Sequence, residues 1–137
     1  MFKVSEHMER FLTRTQIGIL GITDGNSNPH LSPMWYQWEN GSAYMFTGRN
    51  TIKWGHIAKQ RYGSLCVDKR EPPYSALILS GPLVESGRSV YDLVLSMALR
   101  YYGEKEGQKF ADNYKGNPPN VVAFTLIPDR IVSTLEK

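Results

Sequence analysis

The sequence has few of the residues on which several common kinds of site depend, since it holds one cysteine and three histidines. With Cys66 alone, the chain can form neither an internal disulfide nor a zinc site built on several cysteines. Cys66 lies in the apolar run GSLCVD, which predicts a strand. We therefore expect its thiol to be buried and unreactive.

Long apolar runs are also missing from the sequence. No stretch approaches the ~20 apolar residues that a helix needs to cross a bilayer. The first residues, MFKVSEHMERFL, carry acidic side chains and lack the apolar centre of a signal peptide. We therefore expect a cytoplasmic protein that does not insert into membranes.

A large excess of one charge sign is absent as well. The chain has 16 Lys and Arg against 13 Asp and Glu, a net charge of +3, and the two signs are mixed along it. Because no run of like charge stands out, we do not expect nucleic acid as a partner, and one local anion site suffices to explain the basicity. The 137 residues, 41% of them apolar, provide one core, so residues 1–137 are expected to form one domain.

The apolar pattern that is present predicts a mainly β, α+β protein. Strand-like runs are separated by turn signals, and four segments have helical spacing or helix caps. Strands are expected at 16–23, 31–38, 43–47, 64–68, 75–85 and 120–132, the last as one strand or two, and helices at 5–12, 51–60, 89–103 and within 104–115. Six or seven antiparallel strands with bulge signals favour a small barrel with a few peripheral helices.

Local signals refine this order of elements. Asn40-Gly41 predicts a hairpin turn, and the first three strands are expected to form an antiparallel meander. Pro33 cannot donate to a ladder and predicts a sheet edge or a bulge, while Gly81-Pro82 predicts a bend in the fifth strand. Ser5 and Ser89 are suited to cap the first and third helices.

The segment TGRNTIKWGHIAK joins the third strand to the second helix with two cations and two small polar side chains. If Asn50 caps the helix, unpaired N–H groups and the helix dipole in the following turn attract an anion. The Thr51 hydroxyl, the Lys53 ammonium and the Arg49 guanidinium would then suit one terminal phosphate. The alternative is that the polar side chains only cap the helix and the cations are solvated.

Aromatic residues are concentrated near this junction. Trp35, Tyr36 and Trp38 share the second predicted strand, and Trp54 follows the polar segment. A flat ring system with a phosphate tail would find stacking partners among them. The alternative is that these side chains fill the core or a dimer interface.

The motifs follow one another in a characteristic order: a short helix, IGILGIT, a turn, PHLSPMWY, a hairpin, YMFTGRNTIKWGHI, GSLCVD and SALILSGPLVE. This order resembles the flavin- and deazaflavin-binding split β-barrels, the pyridoxamine 5′-phosphate oxidase-like superfamily, over about residues 8–132. The segments ALRYYGEKEG and VVAFTLIPDRIV are similar to the C-terminal half of its small single-domain members. The resemblance implies an antiparallel split β-barrel that binds a flavin cofactor.

The resemblance also implies which residues hold that cofactor. In the family, a Ser/Thr-x-Lys motif at this junction binds the phosphate of the ribityl chain, and the strand that matches SPMWY borders the isoalloxazine ring. The end of the third strand lies near the ring or the ribityl chain. The cofactor-binding residues implied for this chain are Pro33, Met34, Trp35, Thr47, Arg49, Asn50, Thr51, Ile52 and Lys53.

By the same resemblance, the chain is expected to be an FMN-dependent oxidoreductase. No serine lies in a nucleophile-elbow pattern, so the cofactor would carry the chemistry, a hydride transfer to or from a small planar substrate, with no catalytic side chain or metal assigned. Family members are typically homodimers with two cofactors at the subunit interface, where the partner's fifth strand lines the site. The arginine-containing C-terminal segment of true pyridoxamine-phosphate oxidases has no clear counterpart in DRIVSTLEK, so another substrate is expected.

Coenzyme F-420 is the first alternative to FMN. It would share the phosphate site, but its polyglutamate tail requires additional cations. The sequence offers four for that role: Lys59, Arg61, Lys69 and Arg70.

A non-catalytic binding protein is the second alternative, because split barrels that bind haem or store a cofactor resemble the same pattern. Its imidazole ligand would have to come from His7, His30 or His56. A third reading is a structural protein whose aromatic residues only form a dimer interface.

Overall fold

The computed structural model describes residues 4–14 and 16–135. These residues form eight strands and four helices. In chain order the elements are α1 (Glu6–Leu12), β1 (Ile17–Thr23), β2 (Pro29–Trp35), β3 (Gln37–Glu39), β4 (Ser42–Gly48), α2 (Ile52–Gln60), β5 (Tyr62–Lys69), β6 (Ser75–Glu85), α3 (Val90–Tyr102), α4 (Glu104–Asp112), β7 (Val121–Leu126) and β8 (Arg130–Ser133). The expected mainly β, α+β class is confirmed.

The strands form one antiparallel sheet that curls into a split half-barrel. Its order is β2-β1-β5-β6-β7-β4-β3, and β8 also pairs with β6. Strand β6 belongs to both halves, because it pairs with β5 and β8 along its first part and with β7 from Leu83 onward. The change of partner falls at the predicted bend, Gly81-Pro82. Pro33 lies in β2, an edge strand, as its missing N–H predicts.

The predicted second strand, 31–38, is two strands, which brings the total to eight and corrects the expected meander. Strand β2 pairs with β1 and β3 pairs with β4, so the two lie at opposite ends of the sheet. Tyr36 separates them because its backbone N–H donates to the Tyr101 hydroxyl at 3.2 Å instead of to a ladder. The Tyr36 ring is fully buried, and its hydroxyl donates to the Leu12 carbonyl at 2.9 Å. The Leu12 carbonyl of α1 and the Tyr101 hydroxyl of α3 therefore hold Tyr36 where the chain passes from one half of the barrel to the other.

Helices α1 and α3 begin where their capping residues predict. The Ser5 hydroxyl accepts the Met8 N–H at 3.2 Å, and the Ser89 hydroxyl accepts the Asp92 N–H at 3.2 Å. Helix α3 buries one apolar stripe against the sheet: Leu93, Val94, Met97 and Ala98. None of the helices in the described residues combines the length and the apolar character needed to span a bilayer.

Cys66 is only partly buried, whereas the sequence predicted a buried thiol. Its neighbours Leu65 and Val67 point into the core, so the alternation of β5 places the Cys66 side chain on the outer face of the sheet. Burial is still sufficient to raise the pKa of the Cys66 thiol, which keeps it in the less reactive protonated form.

Candidate anion and cofactor site

The junction between β4 and α2 folds around the Thr51 hydroxyl. This hydroxyl accepts the Trp54 N–H at 3.1 Å and donates to the Gly48 carbonyl at 2.8 Å. Thr51 is therefore the N-cap, in extended conformation with φ −87° and ψ 153°, and the expectation that Asn50 caps the helix is wrong by one residue. Asn and Thr both cap helices well. The turn in which the Thr51 N–H donates to the Gly48 carbonyl favours Thr51 over Asn50.

Lys53 is the cation of this junction that has no acidic partner among the described residues. Its side chain is half-buried, and its ammonium lies 3.3 Å from the sulfur of Met34 on β2. Partial burial lowers the pKa of Lys53, since the charged form is less well solvated there. A partly desolvated ammonium beside a thioether is a favourable partner for an anionic ligand.

Arg49 is directed to other neighbours. Its guanidinium forms an ion pair with Glu85 at the end of β6 and lies 5.9 Å from the centre of the Trp54 ring. Its backbone N–H donates to the Asn120 carbonyl at 2.7 Å. The two cations predicted to hold one phosphate therefore have different contacts here, Lys53 with β2 and Arg49 with β6.

Thr47 adds a polar group to the same corner. It lies on β4 just before Gly48 and is 8% exposed, on the inward face that also carries Met45. Its hydroxyl makes no hydrogen bond to another described residue. Among the described residues, every side-chain polar atom that is sealed from solvent has a hydrogen-bond partner, so the Thr47 hydroxyl is not sealed. The hydroxyl therefore keeps some contact with solvent.

The three residues expected to border a flat ring lie on two faces of β2. Met34 points inward and is 6% exposed, whereas Pro33 and Trp35 point to the opposite face. The Trp35 ring stacks on Tyr101 with centroids 4.7 Å apart and the planes 3° from parallel. Of the three, Met34 alone contacts Lys53, and Trp35 belongs to the packing between the sheet and the helices α3 and α4.

The other aromatic residues divide between the core and the surface. Tyr36 and Trp38 are buried, and the indole N–H of Trp38 donates to a Glu9 carboxylate oxygen at 2.7 Å. Trp54 packs against Phe124 at 5.7 Å and borders a groove between α2 and the end of β6. This groove has a volume of about 420 Å³ and is lined by Trp54, Ile57, Ala58, Arg61, Pro82, Leu83, Val84 and Glu85.

The four cations considered for an F-420 tail do not lie together. Lys59 and Arg61 are at the C-terminal end of α2, next to the start of β5. Lys69 and Arg70 are at the other end of β5, roughly 20 Å away at about 3.3 Å per strand residue. The four cations therefore form two separate pairs.

The structure also shows contacts that sequence reasoning missed. Glu85 meets Arg49 across 36 positions of the chain, and no local motif marks it. His30 and His56 have ring centroids 4.4 Å apart, and the His30 imidazole lies 3.9 Å from an Asp24 carboxylate oxygen. A histidine on β2 and a histidine on α2 could be brought together only by the packing of that helix on the sheet.

Known proteins of the same fold have been solved, although no protein-family model and no curated protein sequence matches this chain. A Listeria innocua protein named provisionally as a pyridoxamine 5′-phosphate oxidase is 16% identical, with a TM-score of 0.72 over 94% of this chain and 96% of that one. An F420 reductase is 18% identical, with a TM-score of 0.70 over 94% of this chain and 98% of that one. The haem storage protein HutZ from Vibrio cholerae is 11% identical, with a TM-score of 0.69 over 96% of this chain and 94% of that one.

At these levels of identity the similarity shows a shared fold only. The similar proteins are named for different ligands, F420 in one case and haem in another. The chain has the split-barrel fold of pyridoxamine 5′-phosphate oxidase-like proteins, so the resemblance predicted from the order of its motifs is confirmed at that level.

Proposed function

We propose that this chain is a flavin-dependent oxidoreductase that binds the phosphate of FMN at the start of α2. The observation that carries the proposal is Lys53, a half-buried ammonium in the first turn of α2 with no carboxylate partner among the described residues. The N–H groups of Ile52 and Lys53 lie in the first turn, where a helix provides no internal partner. An ammonium and free N–H groups at one place form a site for a dianionic phosphate ester.

The remaining residues of this corner suit the rest of the cofactor. Met34 contacts the Lys53 ammonium, so a ring held by its phosphate would extend along β2 past this side chain. The Thr47 hydroxyl, available at the end of β4, would bind a ribityl hydroxyl or a polar edge of the ring. When bound, the flavin would supply the hydride chemistry, and these residues would position it and limit the access of water.

The proposal includes a second copy of the chain, which would cover an apolar row on the outer face of the sheet. Register places five residues side by side across five strands: Pro33, Ile19, Cys66, Ile78 and Val132, here called the outer apolar row. Beside this row, Leu31 is 71% exposed and Ile17 is 41% exposed. A continuous apolar sheet face of this kind is typical of subunit contacts, and a symmetric dimer would bury this face on both copies. The family resemblance implies that one copy's β6 then lines the other copy's site.

Ile78→Arg tests this dimer. The change puts a charge in the outer apolar row next to Cys66, so we expect a dimer to become a monomer in light scattering after size-exclusion chromatography and flavin affinity to fall with it. The reaction of Cys66 with a thiol reagent should become faster as the face is uncovered. Tyr74→Arg is the matched control, since Tyr74 is 72% exposed but lies in the loop before β6. A wild-type chain that is monomeric at micromolar concentration would contradict the dimer, and a dimeric Ile78→Arg variant would place the interface elsewhere.

Two other functions have a specific observation in their favour. Coenzyme F-420 would use the same phosphate site, with Lys59 and Arg61 on the same helix for its tail, and an F420 reductase shares the fold. A haem-storing or haem-binding role is favoured by the partly exposed pair His30 and His56, and a haem storage protein shares the fold. Both remain candidates beside FMN.

The test is a visible spectrum of the purified chain, followed by titration of the cofactor-free protein with FMN, F-420 and haemin. Micromolar or tighter binding of FMN, with a flavin band that dithionite bleaches, supports the proposal. Much tighter binding of F-420 would assign the site to the deazaflavin. A Soret band that His56→Ala removes would assign a haem protein, and no binding of either flavin would reject both flavin functions.

A further inference from the structure

Glu85 forms an ion pair with Arg49 at the proposed phosphate site. It is the last residue of β6 and pairs with Phe124 of β7, so the sheet fixes its backbone. The Arg49 side chain is 40% exposed and that of Glu85 is 51% exposed, so both charges remain accessible to solvent and to a ligand. The guanidinium also lies over the Trp54 ring, 5.9 Å from its centre.

We propose that Glu85 is a specificity-determining residue that retains Arg49 and thereby limits the affinity of the site for phosphate esters. This inference rests on the proposed binding of a phosphate at Lys53. Because Arg49 and Glu85 together carry no net charge, Lys53 provides the only uncompensated cation of this corner in the structure described. A dianionic ester would gain a second cation only by drawing the guanidinium away from Glu85, or by sharing it at the cost of repulsion between carboxylate and phosphate.

The size of the effect follows from the exposure of the pair. Solvent-exposed ion pairs are weak, so Glu85 can be displaced by a phosphate rather than blocking it. The competition should therefore reduce affinity by a modest factor, on the order of fivefold, and only for ligands that carry the phosphate. Neutral riboflavin has no group that would compete for the guanidinium.

The experiment compares Glu85→Gln in the full chain with wild type, measuring Kd for FMN and for riboflavin. FMN affinity should rise by about three- to tenfold, while riboflavin affinity stays unchanged. In Glu85→Gln, the new side-chain amide could still bind Arg49. Glu85→Ala has no such group, so its gain in FMN affinity should be at least as large. Glu71→Gln is the matched control, because Glu71 is an exposed acid in the loop before β6 that forms no ion pair with another described residue.

A double variant separates the proposed competition from a general change in electrostatic field. With Arg49 already replaced by alanine, Glu85→Gln should no longer raise FMN affinity, because there is no guanidinium to release. An equal gain with and without Arg49, a loss of FMN affinity, or a matching gain for riboflavin would overturn the role of Glu85. If wild type binds no flavin, or if Lys53→Ala weakens FMN and riboflavin equally, the proposed phosphate site itself is wrong. That outcome differs from the outcomes that overturn only the role of Glu85.

Discussion

Replacing Lys53 by alanine is expected to weaken FMN binding by about 10- to 100-fold while leaving riboflavin binding nearly unchanged. A charge-assisted hydrogen bond contributes about 1.5–3 kcal/mol, and the partial burial of Lys53 keeps water from replacing it fully. Riboflavin has the ring and the ribityl chain but no phosphate, so it loses only weak contacts with the stem of the side chain. Fluorescence titration of the two ligands against both proteins measures the difference.

Lys59→Ala is the control for this change. Lys59 is an exposed lysine in the last turn of the same helix, so its removal alters the net charge by the same amount without touching the helix start. FMN affinity should change little in this variant. Equal losses of FMN and riboflavin in Lys53→Ala would show that Lys53 does not bind a phosphate, and equal losses of FMN in both variants would show only a long-range charge effect.

Replacing Gly81 by alanine should produce the largest loss of stability, about 3 kcal/mol or more in the free energy of unfolding. A β-carbon there would overlap the carbonyl oxygen of Ile127 and lie 3.0 Å from the α-carbon of Pro128. Both obstacles are backbone atoms held by the hydrogen bond from the Ile127 N–H to the Pro82 carbonyl at 3.0 Å. The neighbours cannot yield as a flexible side chain could, so the junction of the two half-sheets must distort. Urea denaturation followed by circular dichroism gives the value.

Gly87→Ala is the matched control, because a β-carbon at Gly87 meets no atom within 4 Å. Its free energy of unfolding should equal that of wild type or exceed it slightly, since alanine restricts the unfolded chain more than glycine does. Similar stabilities for both variants would contradict the close approach of Gly81 to the backbone of residues 127 and 128.

The sequence was sufficient to predict features that depend on neighbouring residues. Periodicity and caps located all four helices, and Asn40-Gly41 predicted the β3–β4 hairpin. Gly81-Pro82 predicted a bend in β6, and the strand changes partners at this place. These signals are local in their physics: a turn needs particular backbone angles, and a cap needs a hydroxyl within a few residues. The order of the motifs extended this local reading to the split barrel itself.

Features that depend on distant contacts could not be predicted in the same way. The break at Tyr36 exists because Tyr101, 65 residues later, supplies the hydrogen bonds that a neighbouring strand would otherwise supply. Lys53 contacts Met34, whereas Arg49 forms an ion pair with Glu85, an acid that no sequence pattern connects with it. Where a side chain has several accessible partners, the packing of the fold determines which partner it contacts. The sequence alone does not specify that partner.

The sharing of β6 between the two halves has a mechanical consequence. Since one continuous strand supplies backbone hydrogen bonds to β5, β7 and β8, neither half keeps a complete ladder if this strand detaches. The barrel should therefore melt as one cooperative unit, and strain introduced at either end should travel along this strand.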